Sequence, residues 1–286
     1  MSAPAADIFR QAARLNREDP RRRGNLVELE PAMLVLATGD IHGHAQALAR
    51  ILSFARRRPR PWRLVLQEII HGPLDDHGAD RSVEPMLRAA RAKIEFPQQI
   101  LFLMGNHDLA QLTGVEISKG ASGACDAFRQ GVKYVFEDQA DEVAPAVMEF
   151  LASMPMAVRT PNRVLITHSL PSPHRQSAAG VDVLTRDYQD GDFHRGGPAY
   201  EWTWGRHQTP QQTDELAAKL DVDFFVLGHR RTPSGCELIL PRALTLACDH
   251  AHGCVLCFDS DKPFDPNRLC DGLKYLAEIL PDGHTA

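Results

Sequence analysis

Acidic, amide and imidazole side chains recur directly after short apolar runs of the chain. Asp40 and His42 follow one run, Asn106 follows another, and His168 and His229 follow two more. These residues offer oxygen and imidazole nitrogen donors without a thiolate, a set that suits Mn²⁺, iron or Zn²⁺. A single histidine after a strand is usually a hydrogen-bonded loop residue. Several at equivalent positions, together with Asp40 and Asn106, indicate a shared metal site.

The first of these groups has the spacing of a chelating pair. Asp40 and His42 are two positions apart, so in an extended turn both side chains can point the same way and bind one ion. Gly39 and Gly43 flank the pair and permit tight turns and close backbone approach.

The apolar runs before these residues predict strands buried on both faces, because they are short and do not alternate with polar residues. They cover residues 33–38, 63–66, 100–104, 163–167 and 223–227. Ligands of such sheets lie at the carboxyl ends of the strands. The polar groups are therefore expected at one edge of one sheet. Helices are predicted at residues 45–57, 83–93, 121–137, 141–154 and 211–220, and around 271–279.

The domain organisation is predicted to be simple. Residues 1–30 read as a short helix and a basic connector, and residues 31–286 as one large domain, because no Gly/Ser-rich or Pro-rich linker divides them. Loop and helical insertions are expected near 110–155 and 171–210. The second has no clear period and predicts a long loop region of the kind that carries function.

The composition is that of an ordinary globular enzyme, with a net charge of -5 that does not favour nucleic acid or an anionic membrane as partner. The basic runs at 21–23 and 56–63 predict a solvated surface. No apolar run approaches the ~20 residues of a membrane helix. The N-terminus has no cationic segment followed by an apolar one, so a cytoplasmic location with reduced cysteines is expected.

Four sequence blocks resemble the signature series of the calcineurin-like metallophosphoesterases. They are Gly-Asp-Ile-His-Gly at 39–43, Gly-Asn-His-Asp at 105–108, Thr-His-Ser at 167–169 and Gly-His at 228–229. Their order and spacing match over roughly residues 33–260. The first two blocks are similar to the phosphoprotein phosphatase branch and its bacterial relatives.

The resemblance implies an α/β fold, a four-layer metallophosphoesterase β-sandwich flanked by helices, with a dimetal site at the carboxyl ends of its strands. Two divalent metal ions are implied, with Mn²⁺ first and iron or Zn²⁺ as alternatives. Asp40 and His42 would hold the first metal, Asn106, His168 and His229 the second, and a carboxylate would bridge them. Such metals polarise phosphoryl oxygens and activate a water that attacks phosphorus.

Two further residues have roles implied by the resemblance. His107 would be the general acid that protonates the leaving alkoxide, and Asp108 would orient it. His44 and His71 are candidates to donate hydrogen bonds to Asp40 or to the substrate.

One block of the family pattern, GDxxDRG, is missing. Matching the strand ends places Glu68 at the position of the bridging carboxylate and His71 where a later Asp usually lies. Matching the glycines instead places Pro73 at the bridge, and proline cannot coordinate a metal. Glu68 is therefore the predicted bridge because it follows its strand directly, and Asp75 or Asp76 is the alternative.

Phosphate oxygens need cationic donors besides the metals, and arginine offers a bidentate fork. The segment around Arg206 resembles the one in which relatives place a phosphate-binding arginine. Arg81 is the second candidate, because the family arginine belongs to the missing block, and Arg230 and Arg231 are the third.

The implied function is that of a metal-dependent phosphoric ester hydrolase, foremost a serine/threonine protein phosphatase-like phosphomonoesterase acting on a phosphoprotein or a small phosphoester. One alternative is a dinucleoside polyphosphate hydrolase, because that bacterial branch shares the motifs. A catalytically weakened homologue that binds phosphorylated ligands is another, because one block is altered. These stay open at the level of sequence, since selectivity would lie in residues 110–137 and 171–208. No residue pattern indicates an oligomeric state.

Overall fold

Two β-sheets form the centre of the protein in a computed structural model that describes residues 4–117 and 123–280. The described strands are β1 (Arg22–Arg23), β2 (Leu26–Glu28), β3 (Leu34–Asp40), β4 (Trp62–Gln67), β5 (Ile100–Leu103), β6 (Ala157–Arg159), β7 (Val164–Thr167), β8 (Phe224–Leu227), β9 (Cys236–Leu240), β10 (Ala243–Leu246), β11 (Cys254–Asp259) and β12 (Leu273–Tyr275). One sheet has the order β1-β2-β6-β7-β8-β10-β9 and the other the order β12-β11-β3-β4-β5.

Helices cover both outer faces of this pair of sheets. They are α1 (Ala5–Arg17), α2 (Ala45–Arg56), α3 (Val83–Glu95), α4 (Asn106–Thr113), α5 (Ala124–Phe136), α6 (Ala140–Ala152), α7 (Gln176–Ala179), α8 (Pro198–Trp204), α9 (Pro210–Leu220) and α10 (Leu269–Gly272). Two apolar cores result, one between the sheets and a larger one between sheets and helices.

The strands serve both cores at once, which explains their unbroken apolar runs. In β7, Val164 and Ile166 belong to the core between the sheets, whereas Leu165 belongs to the core under the helices. Phe224 and Phe225 of β8 divide in the same way. Side chains of a strand alternate between its faces, and here both faces are apolar. The layers are therefore helix, sheet, sheet, helix, the sandwich that the resemblance implied.

The prediction that the ligand-bearing strands share one sheet is wrong. β3, β4 and β5 run parallel in one sheet, while β7 and β8 run parallel in the other. The carboxyl edges of the two sheets meet at Asp40, which forms a parallel bridge with Ala247 and whose carbonyl accepts the Cys248 N–H at 2.8 Å. A side chain at Gly39 would collide with the Leu246 backbone, so glycine permits this approach.

Two other expectations differ from the structure. The helix expected around 271–279 does not form over that range: α10 ends at Gly272, and β12 follows it and pairs antiparallel with β11. The region 171–210 is not a plain loop, since it contains α7 and α8. Trp202 of α8 is fully buried and its ring N–H donates to the Gly180 carbonyl at 2.9 Å.

Residues 4–30 pack onto the main core. Phe9 of α1 is fully buried, with its ring centroid 5.7 Å from that of Phe150 in α6. Strand β2 pairs parallel with β6. The expected solvated surface is wrong for Arg21, which is buried and bonded to Asp19 at 2.6 Å, because that carboxylate neutralises it. Among the described helices, none combines the length and apolarity that a membrane crossing requires.

Candidate metal centre

The side chains predicted as metal ligands meet where the carboxyl edges of the two sheets converge. Each stands at or just after the end of a strand or at the start of the following helix: Asp40 ends β3, Glu68 follows β4, Asn106 begins α4 after β5, His168 follows β7 and His229 follows β8. His42 lies in the turn after Asp40. The carboxyl ends of these strands thus bring together residues that are far apart in the chain.

One group of donor atoms forms around the Asn106 amide oxygen. This oxygen lies 2.9 Å from His168 Nε2 and 2.7 Å from His229 Nδ1. Glu68 Oε1 lies 3.6 Å from the same His168 nitrogen. Two ligands bound about 2.0–2.2 Å from one ion at right angles are about 3 Å apart. The group therefore has the spacing of a single cation's ligands.

A second group forms around the other oxygen of Glu68. His42 Nε2 lies 3.5 Å from Glu68 Oε2 and 4.0 Å from Asp40 Oδ2. The other ring nitrogen of His42 lies 3.1 Å from the Ile70 carbonyl, to which it can donate a proton and so leave a lone pair on Nε2. Glu68 belongs to both groups, as a bridging carboxylate would.

The cluster also contains buried polar atoms without hydrogen-bond partners in the described chain, and those of His168 and His229 are the ring nitrogens that point away from Asn106. Glu68 Oε2, His168 Nδ1 and His229 Nε2 are buried, and none has a hydrogen-bond partner within the described ranges. Native structures seldom leave such atoms unsatisfied unless an ion or a water serves them. Two sets of three possible ligands have their donor atoms within 4.8 Å of one another. One set is Asp40, Glu68 and His168, and the other is His42, Glu68 and His107.

Burial also shifts the protonation of the predicted ligands. Burial raises the pKa of Asp40 to about 6 and that of Glu68 well above its ordinary value, and the proximity of the two carboxyls adds to the rise for Glu68. Burial lowers the pKa of His229 to about 3 and that of His168 well below its ordinary range. The imidazoles are thus neutral, the form that binds metals, and the ionised carboxylates need nearby positive charge.

Unusual backbone conformations occur at the ligands. His42, Glu68 and His229 have φ values of 42°, 41° and 67°, in the left-handed region that few non-glycine residues occupy. Each turns the chain sharply beyond its strand. Strain of this kind persists where the surrounding structure enforces it, typically at functional sites.

Two glycines leave room for the carboxylates. A Cβ at Gly105 would collide with the Glu68 carboxylate, and one at Gly228 would collide with that of Asp40. From the sequence, this role was expected only of Gly39 and Gly43. Gly105 stands directly before Asn106 and Gly228 directly before His229. Glycine at these two positions was the sequence signal that each one faces a carboxylate.

The predicted acid, His107, lies beside the ligands at the start of α4. Its backbone N–H donates to Glu68 Oε1 at 2.7 Å, and its ring is 4.8 Å from that of His42. Asp108 is buried and accepts the Gly105 N–H at 2.8 Å, which closes the first turn of the helix. Burial raises the pKa of Asp108 to about 7.

The histidines proposed as supporting donors have other roles in the structure. His44 caps α2, where its Nδ1 accepts the Ala47 N–H at 3.1 Å. The ring of His71 lies against His107, with 2.9 Å between their Nδ1 atoms. This contact was not foreseen from the sequence.

Two arginines lie near the ligands on the side of His229. The backbone N–H of Arg206 donates to Ser172 Oγ at 2.9 Å, and a guanidinium N–H of Arg230 donates to Gln208 Oε1 at 3.0 Å. Their charges lower the pKa of His229, after burial. In the part of the chain that the structure describes, neither has a carboxylate within 4.0 Å of its guanidinium.

The alternative candidates lie on the loop after β4 and contact residues other than the predicted ligands. Arg81 pairs with Glu84 at 2.7 Å, and its guanidinium lies 5.3 Å from the centre of the Tyr134 ring. Asp75 accepts the backbone N–H groups of His77 and Ala79, both at 2.9 Å. Asp76 is exposed. The structure therefore brings Glu68, rather than either aspartate, to the other ligands.

Comparisons with curated proteins give two relatives with related names. The chain is 22% identical over 241 residues to a serine/threonine-protein phosphatase of Caenorhabditis elegans, which covers 80% of this chain and 49% of that protein. It is 25% identical over 201 residues to a probable serine/threonine-protein phosphatase of Encephalitozoon cuniculi, covering 70% of this chain and 39% of that protein. The chain thus spans half or less of the length of these relatives.

Solved structures and a family model also match most of the chain. A Saccharomyces cerevisiae serine/threonine phosphatase with similarity to human phosphatase PP5 superposes with a TM-score of 0.67 at 18% identity, covering 97% of this chain and 90% of that one. A cold-active protein-tyrosine phosphatase of Shewanella has a TM-score of 0.54 at 16% identity, covering 92% and 84%. At such identity these matches show a shared fold. The model described as calcineurin-like phosphoesterase matches residues 33–231, which include the whole ligand set. The chain therefore belongs to the calcineurin-like phosphoesterase family.

Proposed function

We propose that this protein is a two-metal phosphomonoesterase of the serine/threonine phosphatase type. The observation that carries the proposal is the position of Glu68, whose two carboxylate oxygens face separate groups of ligand atoms. His107 lies next to both groups. Two cation sites that share a carboxylate, with a proton donor beside them, are suited to hydrolysis of a phosphate ester.

The proposed ligands divide into two sets. Asp40, His42 and Glu68 would hold one cation, and Glu68 would hold the other together with Asn106 and with His168 and His229. Mn²⁺ is the proposed metal, because carboxylate, amide and imidazole donors without thiolate suit it. When bound, two divalent cations polarise the phosphoryl oxygens and lower the pKa of a water molecule.

The remaining residues act on the substrate. Arg206 and Arg230 would bind phosphoryl oxygens through their guanidinium N–H groups, since neither has a carboxylate partner among the described residues. His107 would give its proton to the leaving alkoxide oxygen as the bond to phosphorus breaks. Asp108 would keep the first turn of α4, and with it His107, in place through its bond to Gly105.

The proposed substrate class is a phosphorylated serine or threonine side chain. The names of the two curated relatives support it, since both are serine/threonine-protein phosphatases or probable ones. The Arg206 side chain is exposed beside buried ligands, so a phosphate carried on a large substrate can reach it.

The test compares substrates on the purified, Mn²⁺-loaded chain. Phosphoserine and phosphothreonine peptides are measured against a dinucleoside polyphosphate, with para-nitrophenyl phosphate as the common reference, and kcat/KM decides between them. We expect the phosphopeptides to be preferred. A preference for the dinucleoside polyphosphate would assign the other hydrolase activity, and phosphopeptide binding without any turnover would indicate a catalytically weakened homologue.

A chelator tests the metal requirement. Exhaustive removal of divalent cations should abolish turnover, and Mn²⁺ should restore it better than Zn²⁺ or Mg²⁺. Full activity in the chelated protein would exclude the two-metal mechanism.

A further inference from the structure

The residue that contacts the ring of the proposed acid is a histidine from another element. His107 and Gln111 are four positions apart on α4, so their side chains lie on the same helix face one turn apart. His71, on the loop after β4, bridges them. Its Nδ1 is 2.9 Å from Nδ1 of His107, and its Nε2 is 3.1 Å from Oε1 of Gln111.

His71 is held in place from several sides. Only 1% of it is exposed, and its backbone N–H donates to Ser82 Oγ at 3.0 Å. Its ring packs edge-on against Phe128, with 6.0 Å between ring centroids. Its φ of 60° lies in the left-handed region. A side chain this constrained presents a defined nitrogen to each neighbour.

The hydrogen bonds then determine which nitrogens carry protons. Oε1 of Gln111 can only accept, so Nε2 of His71 must donate. A neutral His71 therefore has a lone pair on Nδ1, and a charged one would be a cation buried in this position. That lone pair faces Nδ1 of His107 at 2.9 Å and accepts a hydrogen bond from its N–H. His107 thereby keeps its Nδ1–H, and Nε2 is the nitrogen from which the proposed acid would donate its proton.

We propose that His71, held by Gln111, is a positioning residue that fixes the orientation and the Nδ1–H tautomer of His107. The inference rests on the proposed function of His107 as general acid. In the acid form, His107 carries protons on both nitrogens. As the bond from phosphorus to the leaving oxygen breaks, its electron pair stays on that oxygen and takes the Nε2 proton. His107 becomes neutral, with its Nδ1–H still donated to His71. The water that forms the new bond to phosphorus releases one proton, which replaces the proton that His107 gave to the leaving oxygen.

Two substitutions of His71 separate this role from simple packing. His71→Leu keeps apolar volume but removes the acceptor, whereas His71→Asn keeps an acceptor oxygen near the place of Nδ1. For a poor leaving group, phenyl phosphate, we expect His71→Leu to lower kcat by about 10- to 100-fold, a part of the ~10²–10⁴ that a general acid contributes. Its KM and metal content should not change. His71→Asn should restore most of the loss.

The leaving group and a control variant make the kinetic result specific. Para-nitrophenyl phosphate needs little protonation, so its kcat should change far less in His71→Leu. His77→Leu replaces an exposed histidine of the same loop and should leave both substrates unaffected. An equal loss on both substrates, or no rescue by asparagine, would assign His71 to packing alone.

A second measurement does not depend on turnover. Nitrogen-15 spectra of the histidine rings, recorded on the full chain with diamagnetic Zn²⁺, report which nitrogen of each neutral ring is protonated, and His107→Asn identifies the His107 signals. We expect the Nδ1–H tautomer in the natural chain and in His71→Asn, and a mixture or the Nε2–H tautomer in His71→Leu. Gln111→Met should shift the tautomer in the same direction and replaces His71→Leu if that variant does not fold.

The outcomes distinguish this inference from the proposed function. An Nε2–H tautomer of His107 in the natural chain, or a tautomer insensitive to these substitutions, overturns the role of His71 even in an active phosphatase. Absence of phosphoester hydrolysis with the expected tautomer pattern overturns the proposed function and leaves the contact from His71 to His107 established.

Discussion

Glu68 is the residue on which the proposed metal centre depends. Its carboxylate is buried and faces His42 with one oxygen and His168 with the other. Its left-handed φ of 41° turns it into the site directly after β4. A glutamate at this position is compatible with the ligand geometry because glycine at 105 leaves room for its side chain.

We predict that Glu68→Ala loses at least one bound metal per chain together with activity. Two cations would face each other without the anion that offsets their repulsion. Metal content by elemental analysis and kcat are the measurements. The matched control, Asp75→Asn with Asp76→Asn, should keep its metals, because these side chains belong to a turn and to the surface. The opposite pattern would mean that the loop aspartates supply the bridge.

His107→Asn should keep both metals and lose about 10²–10⁴-fold in kcat, because asparagine cannot protonate the leaving oxygen. Phenyl and para-nitrophenyl phosphate are compared, and the better leaving group should hide part of the loss. Asn106→Ala provides the contrast, since removing a proposed ligand should reduce metal content as well. Equal losses on the two substrates would remove His107 from the role of general acid.

At the scale of elements, the site is formed by the ends of several strands rather than by any one segment. Three strands of one sheet and two of the other place the proposed ligands at their carboxyl ends. Helix α4 begins at Asn106, so a proposed ligand and the proposed acid occupy its first turn. Helix α1 lies at the other end of the sequence from most of these elements, yet it packs into the same core through Phe9.

Phe9→Ala tests whether α1 belongs to the main folding unit. We expect the free energy of unfolding in urea to fall by about 3–5 kcal/mol, the usual effect of removing a fully buried phenylalanine. Arg10→Ala is the matched control on the same helix, because its ion pair with Asp7 is exposed and contributes about 0–1 kcal/mol. If both variants change stability equally little, residues 1–30 form a peripheral segment.

At the scale of the whole molecule, several ionisable groups are buried at one place. Asp40, Glu68 and Asp108 have raised pKa values, chiefly through burial. Without cations the folded chain therefore holds protons that the unfolded chain has already released. Cation binding and protonation compete for the same carboxylates, so stability, metal and pH are linked.

The linkage predicts a pH-dependent stabilisation by metal. The pKa of Asp40 is about 6 in the folded protein against 3.8 as its ordinary value, so the chelated protein should lose stability as pH rises through about 4 to 6. Added Mn²⁺ binds the ionised form, so it should raise Tm more at about pH 7.5 than at about pH 5.5. Thermal unfolding with chelator and with Mn²⁺ measures both effects.

Glu68→Ala is the control for this prediction. The variant lacks one of the carboxylates that the cations require, and its Tm should gain little from Mn²⁺ at either pH. A gain in the natural chain that is the same at both pH values would contradict the linkage.

The local features of this protein could be predicted from sequence because each is contained in a few neighbouring residues. An apolar run followed by a ligand-type residue identified β3, β5, β7 and β8 and the side chain beyond each one. Helical periodicity placed α2, α3, α6 and α9 to within two residues. Strand-end position also selected Glu68, since β4 ends directly before it.

Only the tertiary structure decided which of these segments meet. The division of the ligand strands between two sheets, the pairing of β12 with β11 and the burial of Arg21 against Asp19 each depend on residues that local patterns do not connect to a partner. The contact of His71 with His107 and Gln111 is of the same kind. Burial and long-range pairing set the stability of such contacts, and neither is encoded in the spacing of residues along one segment.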